Sequence, residues 1–195
     1  MKNENDTYGG HIKAFYGNNV PNITPRHLLI YHFDLPTNVY LSGFETYRAQ
    51  GIELTKMGQK GIKGRYPFHW HMAKETDPEK TYFKDNAIHD VFQRCVTVHG
   101  THNVNVVNNV AYNTFGHCYF MEDGGEKNNT FHHNLGLGTK RMTESPCERT
   151  GGTIPSDRLP STFWITSPLN TLTENSAAGS EGIGIWYIFS SKYFT

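Results

Sequence analysis

The sequence predicts an all-β fold, a parallel β-helix (solenoid), and three observations carry this prediction. Apolar and polar residues alternate over short stretches such as Cys95–His99 and Val104–Val107, which is typical of half-buried strands. No long amphipathic helical pattern occurs in the 195 residues. Asparagine recurs near successive β-rich stretches at spacings of 23, 25 and 41 residues.

The recurring asparagines define the predicted repeat, and they are Asn86, Asn109, Asn134 and Asn175. A unit of about two dozen residues with short strands and tight turns suits coils that stack about 4.8 Å apart. Asparagine fits a repeated corner because it tolerates the left-handed conformation and can hydrogen-bond to its stacked counterpart. An antiparallel β-sandwich is the alternative, since its strands would also be short. The asparagine recurrence favours the β-helix.

A single β-helix segment is predicted over residues 1–195, with an inserted loop at about 138–160. The longest asparagine spacing spans that loop, where Thr, Ser, Gly, Pro and charged residues crowd together and the alternation disappears. The stretch 184–195 reads as an apolar strand without a polar cap. Since terminal coils need capping, the sequence predicts a fragment with open ends.

Composition narrows the classes of partner. Aromatic residues make up 13 % of the chain, which argues against disorder. Lys and Arg together number 18, as do Asp and Glu, so the formal net charge is zero. We therefore expect no nucleic-acid partner and no membrane contact by this segment. The start is polar and no run reaches the roughly 18 apolar residues of a membrane span, which predicts neither a signal peptide nor a transmembrane segment.

Cysteines and glycosylation sequons leave the compartment open. Cys95 and Cys118 lie one repeat apart, so they could pack as small interior residues or approach disulfide distance, while Cys147 falls in the predicted loop. An odd cysteine count does not make a closed disulfide framework. Sequons that would accept glycans in a secretory protein are present at Asn5, Asn22 and Asn128.

The strongest local feature is the pair of histidines in Tyr66–His71. In a strand, His69 and His71 point to one face, and an apolar interior would put both on the outer surface. If the next coil carries Cys95–His99 with its valines inward, His99 joins that face. These three histidines are the predicted ligands of a zinc-like divalent metal. Solvated or stacked histidines are the alternative.

Carboxylates and rings supply the rest of the predicted site. Glu122 and Asp123 follow the strand that begins near His117, and these three are the candidate catalytic acids and bases. The candidate substrate-binding residues are Arg65, Trp70 and Arg94. An indole can stack on a sugar ring, and a guanidinium can hold the carboxylates of an acidic polysaccharide. Each carboxylate could instead be a solvated corner. No phosphate-binding loop, dinucleotide fingerprint or Gly-x-Ser-x-Gly elbow is present.

Four blocks of sequence resemble the parallel β-helix region of the cell-migration-inducing hyaluronidase family, which includes cell-surface hyaluronidases and fibrocystin-like proteins. They are residues 8–12 (YGGHI), 64–71 (GRYPFHWH), 86–102 (NAIHDVFQRCVTVHGTH) and 112–124 (YNTFGHCYFMEDG). Shorter matches continue in order to residue 189. The resemblance implies a right-handed, single-stranded parallel β-helix in an extracellular or cell-surface protein that binds hyaluronan. It also implies a part in hyaluronan depolymerisation, with calcium.

Two functions follow as hypotheses. The first is a hyaluronidase-like segment that binds and depolymerises hyaluronan or a related acidic polysaccharide, with the histidine face as its metal-assisted site. The alternative is a non-catalytic carbohydrate-binding or adhesion scaffold like the fibrocystin-like proteins. Metal bound at the histidines would favour the first.

Overall fold

The computed structural model describes residues 13–14, 28–31, 46–60, 63–142 and 156–189. Regular structure in these ranges is nearly all strand, with one short 3-10 helix, η1, at Ser156–Arg158. No helix within the described ranges has the length and apolar character to cross a bilayer.

Seventeen strands are found in the described part of the chain. In chain order they are β1 (Lys13–Ala14), β2 (Leu28–Tyr31), β3 (Arg48–Gln50), β4 (Glu53–Thr55), β5 (Phe68–Glu75), β6 (Tyr82–Lys84), β7 (Ala87–His89), β8 (Val96–His102), β9 (Asn105–Val107), β10 (Val110–Phe115), β11 (Tyr119–Met121), β12 (Thr130–His132), β13 (Leu135–Lys140), β14 (Ser161–Ile165), β15 (Thr171–Thr173), β16 (Ser176–Ala178) and β17 (Ile183–Tyr187).

The strands form three sheets in which every described pairing is parallel. Sheet A has the order β1-β2-β5-β8-β11-β14-β17, sheet B the order β15-β12-β9-β6-β3, and sheet C the order β16-β13-β10-β7-β4. From β5 onward, three consecutive strands supply one strand to each sheet, and we call such a triplet a coil. The antiparallel sandwich is therefore wrong for the described residues, and the predicted stacking of repeats is confirmed.

The core consists of columns of inward side chains, one residue from each coil. In sheet A, one column contains Phe68, Val96, Tyr119 and Phe163, all with no exposed surface. The rings of Tyr119 and Phe163 stack at a centroid distance of 4.7 Å. Because each coil adds only two or three inward residues per strand, a chain with 36 % apolar residues can still fill this interior.

The predicted asparagine ladder is present. The side-chain oxygen of Asn109 accepts the backbone N–H of Asn86 at 3.0 Å, Asn134 does the same for Asn109 at 3.1 Å, and Asn175 for Asn134 at 3.0 Å. The first three side chains are buried and that of Asn175 is half-buried, and each also donates to a backbone carbonyl, as Asn109 does to Phe83 at 3.0 Å. Buried backbone groups at this corner are thus satisfied.

The left-handed corner residue lies one position before each ladder asparagine. These residues have φ between 53° and 57°, and they are Asp85, Asn108, His133 and Glu174. The sequence prediction gave both roles to the asparagine. The structure separates them, because the ladder side chain must point inward while the residue before it turns the backbone.

Cys95 and Cys118 form a disulfide between adjacent coils. Their separation of 23 residues is one repeat, so the same inward position recurs in both coils. Cys147 lies outside the described residues. In the described part of the predicted insertion, β13 continues to Lys140, and η1 leads into β14. Pairing of β13 with β10 thus extends two residues beyond position 138.

Candidate metal centre

Three predicted histidines meet on the outer face of sheet A. His69 and His71 alternate with the inward Trp70 on β5, and the parallel register sets His71 opposite His99 on β8. The ring centroids lie 5.1 Å apart for His69 and His71, 5.9 Å for His69 and His99, and 4.7 Å for His71 and His99. The valines on either side of Thr97 point inward, as predicted, which fixes the face on which His99 lies.

Glu122 brings a carboxylate between two of these imidazoles. Its backbone N–H donates to the carbonyl of Val98 at 3.1 Å, which continues the sheet one residue beyond β11. Glu122 Oε2 lies 3.8 Å from His69 Nε2 and 3.6 Å from His99 Nδ1. One potential ligand atom from each of the three residues lies within 4.8 Å of the others. The side chains are 2 %, 8 % and 18 % exposed for His69, Glu122 and His99.

Asp123 orients the His99 ring. Its Oδ2 lies 2.9 Å from His99 Nε2, and because a carboxylate only accepts, Nε2 carries a proton while Nδ1 faces Glu122. Burial lowers the pKa of His99, but the hydrogen bond to Asp123 and the charge of Glu122 outweigh it, so this pKa is raised overall. A carboxylate behind a histidine is the usual support of a metal ligand.

His71 is half-buried beside the cluster of His69, His99 and Glu122, which we call the trio. Burial, and then the charge of His99, lower the pKa of His71. The predicted metal ligands were His69, His71 and His99. The structure groups His69 and His99 with Glu122 and leaves His71 beside them.

Tyr66 and Lys63 line the cluster on the side of the loop that enters β5. The Tyr66 ring packs against His69 at a centroid distance of 4.8 Å, and its hydroxyl accepts a hydrogen bond from Arg94 Nη1 at 3.1 Å. Lys63 Nζ lies 3.6 Å from Glu122 Oε1. Half-buried Arg65 belongs to the same loop, where its carbonyl accepts the N–H of Gln59 at 2.9 Å.

Two predicted substrate-binding residues have no exposed surface. Trp70 lies in the core, with its ring edge against Phe68. Arg94 forms a buried bidentate ion pair with Asp157, at 3.2 Å from Nε to Oδ1 and 2.9 Å from Nη2 to Oδ2, and it packs 3.8 Å from the Phe120 ring centroid. Neither side chain offers a surface to a polysaccharide, so both are left out of the site that we propose below.

His117 is also buried, and the structure does not bring it to the other histidines. Its ring lies against Phe120 and Trp164, and its Nδ1 accepts the backbone N–H of Ser161 at 3.0 Å. Burial lowers the pKa of His117 to about 3, although the charge of Asp157 opposes this and that of Arg94 adds to it. It is a neutral structural histidine at pH 7.

His117 predicts a loss of stability in acid. Below about pH 6.5 the unfolded chain binds a proton that the native chain rejects until about pH 3. Stability should therefore fall across that window, by about 3 kcal/mol at pH 4 from this residue. Urea unfolding of the wild type and of His117→Gln at several pH values measures the slope. We expect a flatter profile for the variant and the wild-type slope for the control His132→Gln, whose side chain is half-buried on sheet B, away from His117. An equally steep profile for His117→Gln would contradict the assignment.

Several residues of the site region carried no recognisable signal in the sequence. Asp157 pairs with Arg94, which lies 63 positions earlier in the sequence. Glu126 is buried although it lies in the connection that follows β11. Trp164 and Trp186 continue the column of His69, Thr97 and Phe120 across sheet A. The alternation around Trp164 could be seen in the sequence. The register of β14 with β11 could not, because the predicted insertion at about 138–160 lies between the two strands.

The donor set fits a first-row transition metal better than calcium. Two imidazole nitrogens and one carboxylate are a common set for zinc and for ferrous iron, whereas calcium takes six to eight oxygens. Ligands bound about 2.1 Å from one ion lie about 3–4 Å apart. The two separations at Glu122 fall in this range, and the three ligand atoms together lie within 4.8 Å of one another. His99 Nδ1 and the hydroxyl of Thr97, which lies in register with His69, are buried without a hydrogen-bond partner among the described residues.

Fold and site together define a parallel β-helix protein with a candidate metal centre on the outer face of one sheet. The chain belongs to the CEMIP beta-helix family, whose model matches residues 38–195. The resemblance noted in the sequence is thereby confirmed.

Similar proteins carry names that concern hyaluronan. The chain is 37 % identical to the cell migration-inducing and hyaluronan-binding protein of Mus musculus and 38 % identical to that of Homo sapiens, in each case over 94 % of this chain. It is 37 % identical to the cell surface hyaluronidase of Danio rerio over 96 % of this chain. The chain spans about 13 % of the length of these relatives.

Proposed function

We propose that this chain is a hyaluronidase-like β-helix segment that binds hyaluronan, or a related acidic polysaccharide, and takes part in its metal-assisted depolymerisation. The observation that carries the proposal is the convergence of His69, His99 and Glu122 on one outer face. The names of relatives that cover most of the chain support the choice of polymer.

His69, His99 and Glu122 would hold a transition metal such as zinc. When bound, the metal would supply a Lewis acid that polarises a substrate oxygen or a water. Asp123 keeps the His99 ring in place through its 2.9 Å contact. It is also the more exposed of the two carboxylates, at 42 % against 8 % for Glu122. Asp123 is therefore the group that can exchange a proton with the sugar or with water.

Cationic side chains beside the cluster would bind the uronate carboxylates. Lys63 is 59 % exposed and reaches Glu122 across the edge of the site. Arg65, from the same loop, remains the proposed guanidinium ligand, since a guanidinium can hold a carboxylate through two parallel hydrogen bonds. The half-buried Trp164 and Trp186, on the same face of sheet A, replace Trp70 as the rings for sugar stacking.

We also propose that the coils wind right-handed as a single-stranded solenoid, since parallel crossover connections are almost always right-handed. An extracellular or cell-surface location is supported by the Cys95–Cys118 disulfide, because such bonds persist in oxidising compartments. Asn128 is an exposed corner residue and the proposed glycan acceptor. Asn5 and Asn22 lie outside the described residues.

The experiment that tests the proposal incubates the purified chain with long hyaluronan. Zinc, cobalt, calcium or a chelator is added, and polymer size is followed by light scattering after size exclusion. Binding is measured in parallel by calorimetry, with neutral dextran as the polymer control and His69→Ala/His99→Ala as the protein control. We expect hyaluronan binding, and polymer shortening that needs zinc or cobalt and is lost in the double variant.

Each other outcome decides against a part of the proposal. Hyaluronan binding without shortening under any metal would favour the alternative, a non-catalytic carbohydrate-binding or adhesion scaffold. Shortening that calcium alone supports would overturn the metal assignment. No binding of hyaluronan would overturn the proposal as a whole.

A further inference from the structure

Glu126 is a fully buried carboxylate that is hydrogen-bonded to the residues directly after two of the proposed metal ligands. Its Oε1 accepts the backbone N–H of Gly100 at 3.1 Å and that of Asp123 at 3.0 Å. Its Oε2 accepts the N–H of Gly124 at 2.7 Å. A buried carboxylate that accepts three backbone N–H groups is held firmly and holds its donors firmly.

The donors to Glu126 are placed next to the proposed ligands. Gly100 directly follows His99 on β8, and Asp123 directly follows Glu122 at the end of β11. One buried side chain thus ties together the backbone of two adjacent coils at the point where each supplies a ligand. We infer that Glu126 is a positioning residue that fixes the separation of His99 and Glu122 for metal binding, an inference that rests on the proposed function.

The regular pairing of β8 with β11 ends directly at these two ligands, with the hydrogen bond from the Glu122 N–H to the carbonyl of Val98. Pairing between β5 and β8 shifts register between His71 and Lys74. Gly100 has a φ of +52°, in the left-handed region that favours glycine, and a Cβ there would lie 2.6 Å from Met72 Sδ. β11 has already ended at Met121. Beyond the last ladder bond, the carboxylate of Glu126 links the two coils, because it accepts both the N–H of Gly100 and that of Asp123.

The carbonyl of Glu126 is held as well, by a hydrogen bond from Asn170 Nδ2 at 2.8 Å. The backbone that carries the Glu126 side chain is therefore fixed to the following coil, to which Asn170 belongs. These contacts place Glu126 behind the ligands rather than among them, which is the arrangement of supporting groups in metal sites.

The test compares cobalt binding by the wild type, Glu126→Gln and the control Asp85→Asn. The control is a matched isosteric change of a carboxylate that accepts from Asn108 at 2.6 Å and Gln50 at 2.7 Å at a distant corner. We expect Glu126→Gln to weaken cobalt binding about 10- to 100-fold and to shift the visible cobalt absorption. Asp85→Asn should do neither.

The outcomes separate this inference from the proposed function. Unchanged cobalt affinity and spectrum in a folded Glu126→Gln would overturn the inference and leave the metal centre standing. A wild type that binds no cobalt would overturn both. If Glu126→Gln does not fold, amide hydrogen exchange of the wild type decides. Protection at Gly100, Asp123 and Gly124 that rises on adding cobalt supports the inference, and no change on adding cobalt overturns it.

Discussion

Replacing His69, His99 or Glu122 singly by Ala should reduce cobalt and zinc affinity by more than about 100-fold, since even a supporting residue of a metal site costs 10- to 100-fold. Each removes one of three donor atoms that lie within 4.8 Å of one another. His71→Ala should cost less, because that imidazole lies beside the trio. Isothermal titration with zinc and the cobalt absorption spectrum measure both effects.

His132→Ala is the matched control for these variants. His132 lies on sheet B, where its Nδ1 lies 2.8 Å from Thr173 Oγ1, away from the candidate centre. It should bind metal like the wild type. If His71→Ala costs as much as His69→Ala, then the ligand set is the three histidines that the sequence predicted and not the set that includes Glu122. If no histidine variant changes metal binding, the outer face of sheet A holds no metal.

Asp157→Ala should lower the free energy of unfolding by about 3–5 kcal/mol, the usual cost of leaving one partner of a buried ion pair alone. Both Arg94 and Asp157 are fully buried. Burial raises the pKa of Asp157, but the adjacent Arg94 guanidinium lowers it more, so the carboxylate is charged at pH 7. The variant leaves a guanidinium in the interior without the carboxylate that neutralises it. Thermal unfolding should show a drop of about 10 °C.

The double variant Arg94→Met/Asp157→Ala separates ion-pair loss from packing loss. It removes both charges, so we expect it to be more stable than Asp157→Ala alone. Asp77→Ala is the surface control, because Asp77 pairs with Lys80 at 2.8 Å on exposed chain, and such pairs contribute little. A double variant that is less stable than the single one would contradict the view that the uncompensated charge dominates the cost.

Residues that are close in sequence explain why much of the candidate site could be predicted. The alternation in Tyr66–His71 and Cys95–His99 was sufficient to place three imidazoles on one face, since a strand sends successive side chains to opposite sides. The repeat spacing then predicted adjacent coils. The same alternation put Trp70 inside, although its ring had been chosen for sugar stacking. A side chain that suits a ligand by its chemistry cannot bind that ligand when it lies on the buried face of the strand.

Contacts between distant segments could not be read in the same way. Arg94 suits an acidic ligand by its chemistry, and only the folded chain reveals that Asp157 neutralises it. His117 lies in the motif that ends at Glu122, yet burial against Trp164 removes it from the surface. Both interactions depend on where η1 and β14 lie relative to the earlier coils. No periodic pattern in the sequence predicts that position.

The sequence by itself determined the class of fold, the repeat, the asparagine ladder and the outer face that carries His69, His71 and His99. Each depends on local periodicity, which a strand converts directly into geometry. Only the tertiary structure decided that Glu122 joins His69 and His99, that Glu126 accepts the backbone N–H groups of Gly100 and Asp123, and that Arg94 is neutralised. These outcomes depend on register across coils and on burial. Register and burial arise from packing, which sums contacts over the whole chain and leaves no local pattern.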